Sequence, residues 1–487
     1  MAEDSYRVSA LRRHTGWNVV PILVAGFVGA CASLTVVDTV PLPTTAMAAP
    51  DGDRISRDGY RLDGLAASPD APDLLILVAM SGGGKRSASF AYGALKGMRE
   101  VTVPTSAGVK PLLQEVDAIA AVSGGSFPAA YYGLYRDEAF GRFETDFLYR
   151  DTESYIWGIY LLPWNWTWLI DPLVGTNDFM ERVYDQTMFH GATFTDLQKR
   201  GRPVIAINAT DLAYGSPFMF TQESFDLICS DLERFPVARA VAASNGFPGL
   251  FSPVTLTNRA ADCEGRRPAW LRRIGDAERR NPLSRLGVQA EMADRYLDPD
   301  KTRYVHLVDG GVSDNLALRT SGAMVQAIPA DSELRSRGFI GIRRILVLSI
   351  DGQGTQDSSV AQRQVVGGIF SLLGLVSGAQ IDRYNFETLI TTTELLHAFA
   401  RSIAAARCAE AHMIDGARCD DVSAELIHIA LSALPPGSAQ DRLLAIPTGL
   451  TIPRSDVDLL IAAGETALTG SAQLRAFLAN YPDRWRR

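Results

Sequence analysis

The strongest constraint on the fold is a set of short apolar runs that each stop abruptly at a glycine-rich or acidic turn. Leu74–Met80 contains no polar residue and ends at Ser81-Gly82-Gly83-Gly84. A run that is apolar on both faces suits a parallel strand buried between two layers. Residues 116–122 are apolar except for Asp117 and end at Ser123-Gly124-Gly125. Residues 304–308 end at Asp309-Gly310-Gly311, and residues 345–350 at Asp351-Gly352. Residues 203–208 supply a further run. After the first of them, Ala88, Ala91, Leu95 and Met98 fall along one side of a helix. Strands alternating with helices predict an α/β domain, with a mostly parallel central sheet and flanking helices. In such sheets ligands bind beyond the carboxyl ends of the strands, so these turns are expected to share one rim. Beyond residue 362 the pattern turns mainly helical, at 365–379, 392–409 and 456–468. This tail is read as packed on the same domain.

Three of the turns carry residue types that acyl chemistry needs. A nucleophile must stand exposed at a sharp bend, and Ala121-Val122-Ser123-Gly124-Gly125 has the small flanking residues of a strand-to-helix elbow. Alanine stands where the usual motif has its first glycine. Ser126 is the rival nucleophile, but no strand immediately precedes it, so it reads as a first-turn helix residue. Gly82, Gly83 and Gly84, followed by Lys85 and Arg86, can turn successive backbone N–H groups toward an anion at a helix start. Neither a Walker-type phosphate loop nor a dinucleotide fingerprint is present there. No histidine sits at a glycine-flanked strand end, and His306 reads as structural. Asp309 is therefore the candidate base, with Asp351 the competing carboxylate.

Taken in order, Gly-Gly-Gly-x-Arg, the serine elbow and Asp-Gly-Gly resemble the patatin-like phospholipase family. Asn208-Ala209-Thr210-Asp211-Leu212 resembles a strand block of that family. Residues 240–254, with Pro248-Gly249-Leu250-Phe251 and Pro253-Val254, resemble another, and Val312-Ser313-Asp314-Asn315 continues the aspartate motif. The resemblance spans roughly residues 74–351. It implies a three-layer arrangement and a Ser–Asp dyad, in which Ser123 attacks an acyl carbonyl and Asp309 takes its proton. It places the oxyanion hole at Gly83 and Gly84, with Gly82 shaping the turn and Arg86 supporting the loop or attracting a headgroup phosphate. No metal or organic cofactor is required. The implied activity is lipid acyl hydrolysis, of phospholipase A or lysophospholipase type. The alternatives are an acyltransferase using the same acyl-enzyme and a catalytically silent lipid-binding lipoprotein. Asp211 and Asp314 read as structural loop residues.

The remaining signals concern address and surface. Arg7, Arg12 and Arg13 precede an apolar run at residues 19–30, which ends in Val28-Gly29-Ala30-Cys31. A basic start and a short apolar stretch form the secretory pattern, and the end resembles the bacterial lipobox, with Cys31 as the lipidated residue. Cleavage after Ala46-Met47-Ala48 and an uncleaved anchor are the alternatives. The expected division is a signal peptide at 1–30, a lipidated N-terminus and tether at 31–70, the catalytic domain at 71–360 and the helical part at 361–487. The expected address is an exported, membrane-anchored lipoprotein, on the periplasmic side or at the outer membrane if the cell has two. Four cysteines remain, Cys229, Cys263, Cys408 and Cys419, an even number that suits two disulfides in an exported protein. Proximity favours Cys229–Cys263 and Cys408–Cys419, although four cysteines allow three pairings and unpaired thiols are also open. No cysteine or histidine cluster has metal-ligand spacing. A net charge of −8 argues against nucleic acid as a partner. The expected partners are phospholipid or another lipid ester, and a membrane surface. Trp157, Trp164, Trp166 and Trp168 lie among Ile and Leu at residues 155–173, suiting either a lipid-contact surface or an apolar insertion packed on the core. Residues 262–303, with Arg266, Arg267, Arg272 and Arg273, read as a solvated insertion, with attraction to anionic headgroups as the alternative.

Overall fold

The computed structural model describes residues 35–37, 39–41, 59–62, 68–161, 175–263, 267–320, 322, 339–354, 361–362, 364 and 369–481. The signal-peptide reading, Cys31, Arg266 and Trp164, Trp166 and Trp168 lie outside them. Among the described residues, nine strands form one sheet. In chain order they are β1 (Thr35–Val37), β2 (Leu74–Met80), β3 (Ala118–Val122), β4 (Val204–Asp211), β5 (Ser216–Met219), β6 (Val254–Thr257), β7 (Tyr304–Asp309), β8 (Arg344–Asp351) and β9 (Ser423–Ala430). The spatial order is β1-β6-β7-β4-β3-β2-β8-β9, and β5 forms a hairpin with β4. The block β4-β3-β2-β8-β9 is parallel throughout. The fold is thus the mostly parallel sheet with flanking helices that the apolar runs predict.

Alternation along the strands builds two cores. Leu74, Ile76, Val78 and Met80 face one layer of helices, among them α1 (Gly84–Glu100), α2 (Ser126–Tyr135), α3 (Val237–Ser244) and α5 (Arg454–Thr469). Leu75, Leu77 and Ala79 face the other layer, where Leu396, Phe399 and Ile403 of α4 (Ile369–Glu410) pack.

Four differences from the sequence reading have physical causes. The β7 strand runs antiparallel to β4 and β6, so the turns do not all lie at carboxyl ends of parallel strands. The described part of the 365–379 pattern and the pattern at 392–409 belong to one helix of 42 residues, Ile369–Glu410. Residues 380–391 lack apolar periodicity, with Tyr384 and Phe386 exposed, yet that stretch contains neither glycine nor proline to stop the backbone. The tail is not purely helical, since β9 pairs with β8 along its whole length and joins the main sheet. Finally, residues 35–37, within the expected tether, pair with β6 at the edge of the sheet.

Helix α5 crosses α1 at two glycines. A Cβ at Gly464 would land on the Phe90 carbonyl, and one at Gly93 on the Ile461 carbonyl. We expect Gly464→Ala to lower stability by roughly 1–3 kcal/mol, the usual cost of overpacking. Thermal unfolding measures this, and an unchanged transition would mean that the helices can part freely.

Disulfides join Cys229 to Cys263 and Cys408 to Cys419. Residues 267–303 hold a small core of their own, Leu271, Ala290 and Ala293. Arg267 and Arg279 both pair with Asp294 in this region.

Candidate active site

The site forms where three backbone turns meet. β3 ends at Val122, level with Asn208 of β4, and β4 runs three residues further. β7 pairs with those last three residues from the opposite direction and stops with Asp309 beside Ala209. Two strands running against each other therefore deliver their carboxyl ends to one level of the sheet. Ser123 follows β3 immediately, and its hydroxyl donates to Asp309 Oδ2 at 2.7 Å.

Ser123 has φ 48°, a left-handed conformation that a side-chain-bearing residue adopts only when its surroundings enforce it. The enforcing partner is the C-terminal end of α3. Ser244 Oγ accepts the Ser123 amide at 2.9 Å and donates to Asn208 O at 2.6 Å. From the same segment, Gly246 O accepts the Asp309 amide and Ser244 O the Gly310 amide. One helix end thus holds both candidate residues.

Asp309 Oδ1 accepts the Gly311 amide at 2.7 Å. Burial pushes its pKa up to about 6, against the opposing pull of the Ser123 and Gly311 hydrogen bonds. A carboxylate raised this far is a better base at neutral pH than an ordinary aspartate. Activity that needs ionised Asp309 should therefore rise tenfold per pH unit below about 6 and level off above it. A pH–rate profile of kcat/KM tests this; a plateau extending unchanged to pH 4 would exclude Asp309 as the base.

The glycine loop lies directly against the elbow. A Cβ on Gly82 would sit 3.3 Å from Ser123 Cβ and 2.5 Å from Asn315 Oδ1. Gly83 has φ 130°, a conformation open to glycine but not to side-chain-bearing residues. Among the described residues, no acceptor takes the amide of Gly83 or Gly84. Both lie at the start of α1, where such amides favour negative charge. The loop is clamped from outside by the C-terminal part: Gly449 O accepts the Lys85 amide at 2.9 Å, and Ile446 O accepts from Arg86 Nη1 at 2.8 Å. Arg86 also donates to Gly352 O at 2.9 Å. It is buried and engaged by carbonyls, which suits loop support and not headgroup capture.

Ser123, Asp309, the glycine loop and the end of α3 fall within residues 78–320, which match the model of the patatin-like phospholipase family. This stretch is a patatin-like phospholipase domain. No curated protein sequence matches the chain. Among solved structures, human GIVD cytosolic phospholipase A2 is similar to it with a TM-score of 0.39 and 11% identity, over 96% of this chain and 68% of that one. The same human protein in complex with methyl gamma-linolenyl fluorophosphonate gives a TM-score of 0.32 and 11% identity, over 96% and 65% of the two chains. This chain thus spans about two thirds of that protein's length.

The other residues weighed from the sequence lie elsewhere in the patatin-like domain or engage other partners. Ser126 Oγ is buried and donates to Ser123 O, closing the elbow. His306 Nδ1 meets Thr255 Oγ1 at 2.9 Å within the sheet. Asp351 accepts the Gln353 amide and faces His428. Asp211 is held by the Tyr296 hydroxyl at 2.7 Å, and Asp314 accepts the Arg319 amide at 2.8 Å, so both brace loops. Trp157 is exposed on the helix Thr152–Leu161, together with Tyr155 and Leu161. Sequence reasoning assigned no role to Ser244, Asn245 or the carbonyls at 446 and 449. The first two sit in the block at 240–254 as ordinary small polar residues, and a backbone carbonyl leaves no signal in side-chain identity.

Proposed function

We propose that the chain is a lipid acyl hydrolase, of phospholipase A or lysophospholipase type, acting through Ser123 and Asp309. The observation that carries the reading is the 2.7 Å bond from Ser123 Oγ to a buried carboxylate, made by a serine held at φ 48°. In the proposed reaction Ser123 Oγ attacks the acyl carbonyl carbon while its proton passes to Asp309. The amides of Gly83 and Gly84 hold the resulting oxyanion, a term on which a weak base must depend heavily. Asp309 then returns the proton to the departing alcohol oxygen, leaving an acyl-Ser123 ester. Water, giving a proton to Asp309, attacks this ester, and that proton goes back to Ser123 as the fatty acid leaves. Exposed Phe247, Leu250 and Val312 follow closely on the segments that hold Ser123 and Asp309, which favours an apolar acyl substrate. The N-terminal pattern ending at Cys31 supports an exported, lipid-anchored form.

The test is fatty-acid release from phosphatidylcholine and lysophosphatidylcholine vesicles by the full-length chain, with glycerol added in a parallel series. Release from either lipid, with no acylglycerol formed, is the expected result. Acylglycerol as the main product would make it an acyltransferase. No product from any lipid, with Ser123 unlabelled by a fluorophosphonate, would sink the enzyme reading.

A further inference from the structure

Ser123 Oγ has a second polar neighbour besides Asp309. Asn245, the residue after α3, places its side-chain amide 3.2 Å from Ser123 Oγ. The far side of that amide lies 3.3 Å from the hydroxyl of Tyr184, which is buried in the aromatic cluster with Phe127. The assigned orientation turns Asn245 Oδ1 toward Ser123 and Nδ2 toward Tyr184. Oxygen and nitrogen of an amide are distinguished only by their hydrogen-bonding partners, so the network must decide.

The assigned orientation leaves two groups mismatched. The Ser123 hydroxyl has one proton, and the shorter, charge-assisted bond to Asp309 claims it. Asn245 Oδ1 would then face a lone pair of Oγ. Tyr184 would accept from Nδ2 and have no acceptor for its own proton among the described residues. Burial raises the Tyr184 pKa, so that proton stays on. Rotating the amide by a half-turn satisfies every group: Tyr184 donates to Oδ1, Nδ2 donates to Ser123 Oγ, and Ser123 donates to Asp309.

We infer that Asn245 is a third catalytic residue, donating a hydrogen bond from Nδ2 to Ser123 Oγ and held in that orientation by Tyr184. This rests on the hydrolase reading of the site. The consequence is directional. With its O–H directed at Asp309 and one lone pair accepting from Asn245, Oγ has a single lone pair left, and that one is free to attack. When the acyl-enzyme breaks down, Oγ is the leaving oxygen and the same N–H stabilises the charge building on it. The sequence next to it agrees with this division of labour, since Ser244 fixes the Ser123 backbone and Asn245 its side chain.

The test is the second-order rate at which a fluorophosphonate labels Ser123, measured at pH 8 so that Asp309 stays ionised. Asn245→Ala and Asn245→Asp are each expected to slow labelling about 100-fold, the scale of losing one well-placed donor. Asparagine and aspartate are nearly the same size, so the second variant separates donor from acceptor. Wild-type labelling by Asn245→Asp would mean that Asn245 only accepts, and wild-type labelling by Asn245→Ala that it is a spectator; either overturns the proposal. Tyr184→Phe keeps the ring in the core and is expected to slow labelling in the same direction by a smaller factor. If the Asn245 variants do not fold, an unchanged rate in Tyr184→Phe overturns the proposal on its own. Failure of the wild type itself to react would count against the hydrolase reading, which keeps the two apart.

Discussion

Asp309→Asn is expected to lower kcat for lipid ester hydrolysis about 10⁴-fold, with KM little changed. The amide is nearly the size of the carboxylate: its one oxygen can still accept from the Gly311 amide while its NH2 takes the place of Oδ2 and donates to Ser123 Oγ, so the local geometry should survive. What is lost is the place for the serine proton. In an enzyme with a third, histidine partner the acid only orients the base; in the proposed dyad Ser123 bonds Asp309 directly, and the carboxylate itself takes the proton. The loss should therefore not be recovered by raising the pH, because the amide has no ionised form to populate. A variant retaining a tenth of wild-type kcat would show that another group accepts the proton. Asp351 is the first to test, since it ends β8, which pairs with β2, the strand that leads into the glycine loop.

Gly124→Ala should cost nearly as much by an entirely different route. A Cβ at position 124 would fall on the carbonyl oxygen of Gly84, within the loop assigned to the oxyanion. The methyl group can be accommodated only if the elbow and the loop separate. The amides of Gly83 and Gly84 would then no longer bear on the carbonyl that Ser123 attacks. We expect kcat to fall about 10³-fold, the upper end for losing such donors. The fold should persist, with a stability loss of roughly 1–3 kcal/mol from overpacking. Circular dichroism and thermal unfolding beside the kinetics separate the two effects. Near-normal turnover would place the oxyanion donors elsewhere than in this loop.

Much of this architecture is written in hydropathy, because a strand buried on both faces has little choice of residue. Leu74–Met80 is legible for that reason, and so are the abrupt glycine turns at 82 and 124. Strand direction is not legible in that way. The run ending at Asp309 has the same apolar character whether it lies parallel or antiparallel, and only pairing with β4 decides it. The strand Ser423–Ala430 is edge-like, half-buried and short of a continuous apolar run, so it passes among helical neighbours unnoticed. At the site, Ser123, Asp309 and the glycines stand out because chemistry restricts them to unusual residues in unusual turns. Ser244 and Asn245 do the positioning from a helix end that any small polar pair could occupy. Their meaning depends on residues more than 120 positions away, which no local window contains.

The clamp on the glycine loop has a consequence for when the protein becomes active. Arg86 reaches a carbonyl at Ile446, and α1 closes against α5 through Gly93 and Gly464, contacts between segments more than 350 residues apart in sequence. A ribosome makes the chain from the N-terminus, and domains begin to fold as they emerge. The elbow, the aspartate and the glycines are all synthesised long before residue 446, yet the loop lacks its clamp at Ile446 and Gly449 until that segment and α5 arrive. The nascent chain thus carries every reactive group in an unassembled state. A cell that makes this protein meets the assembled candidate site only once residues 446–464 have left the ribosome.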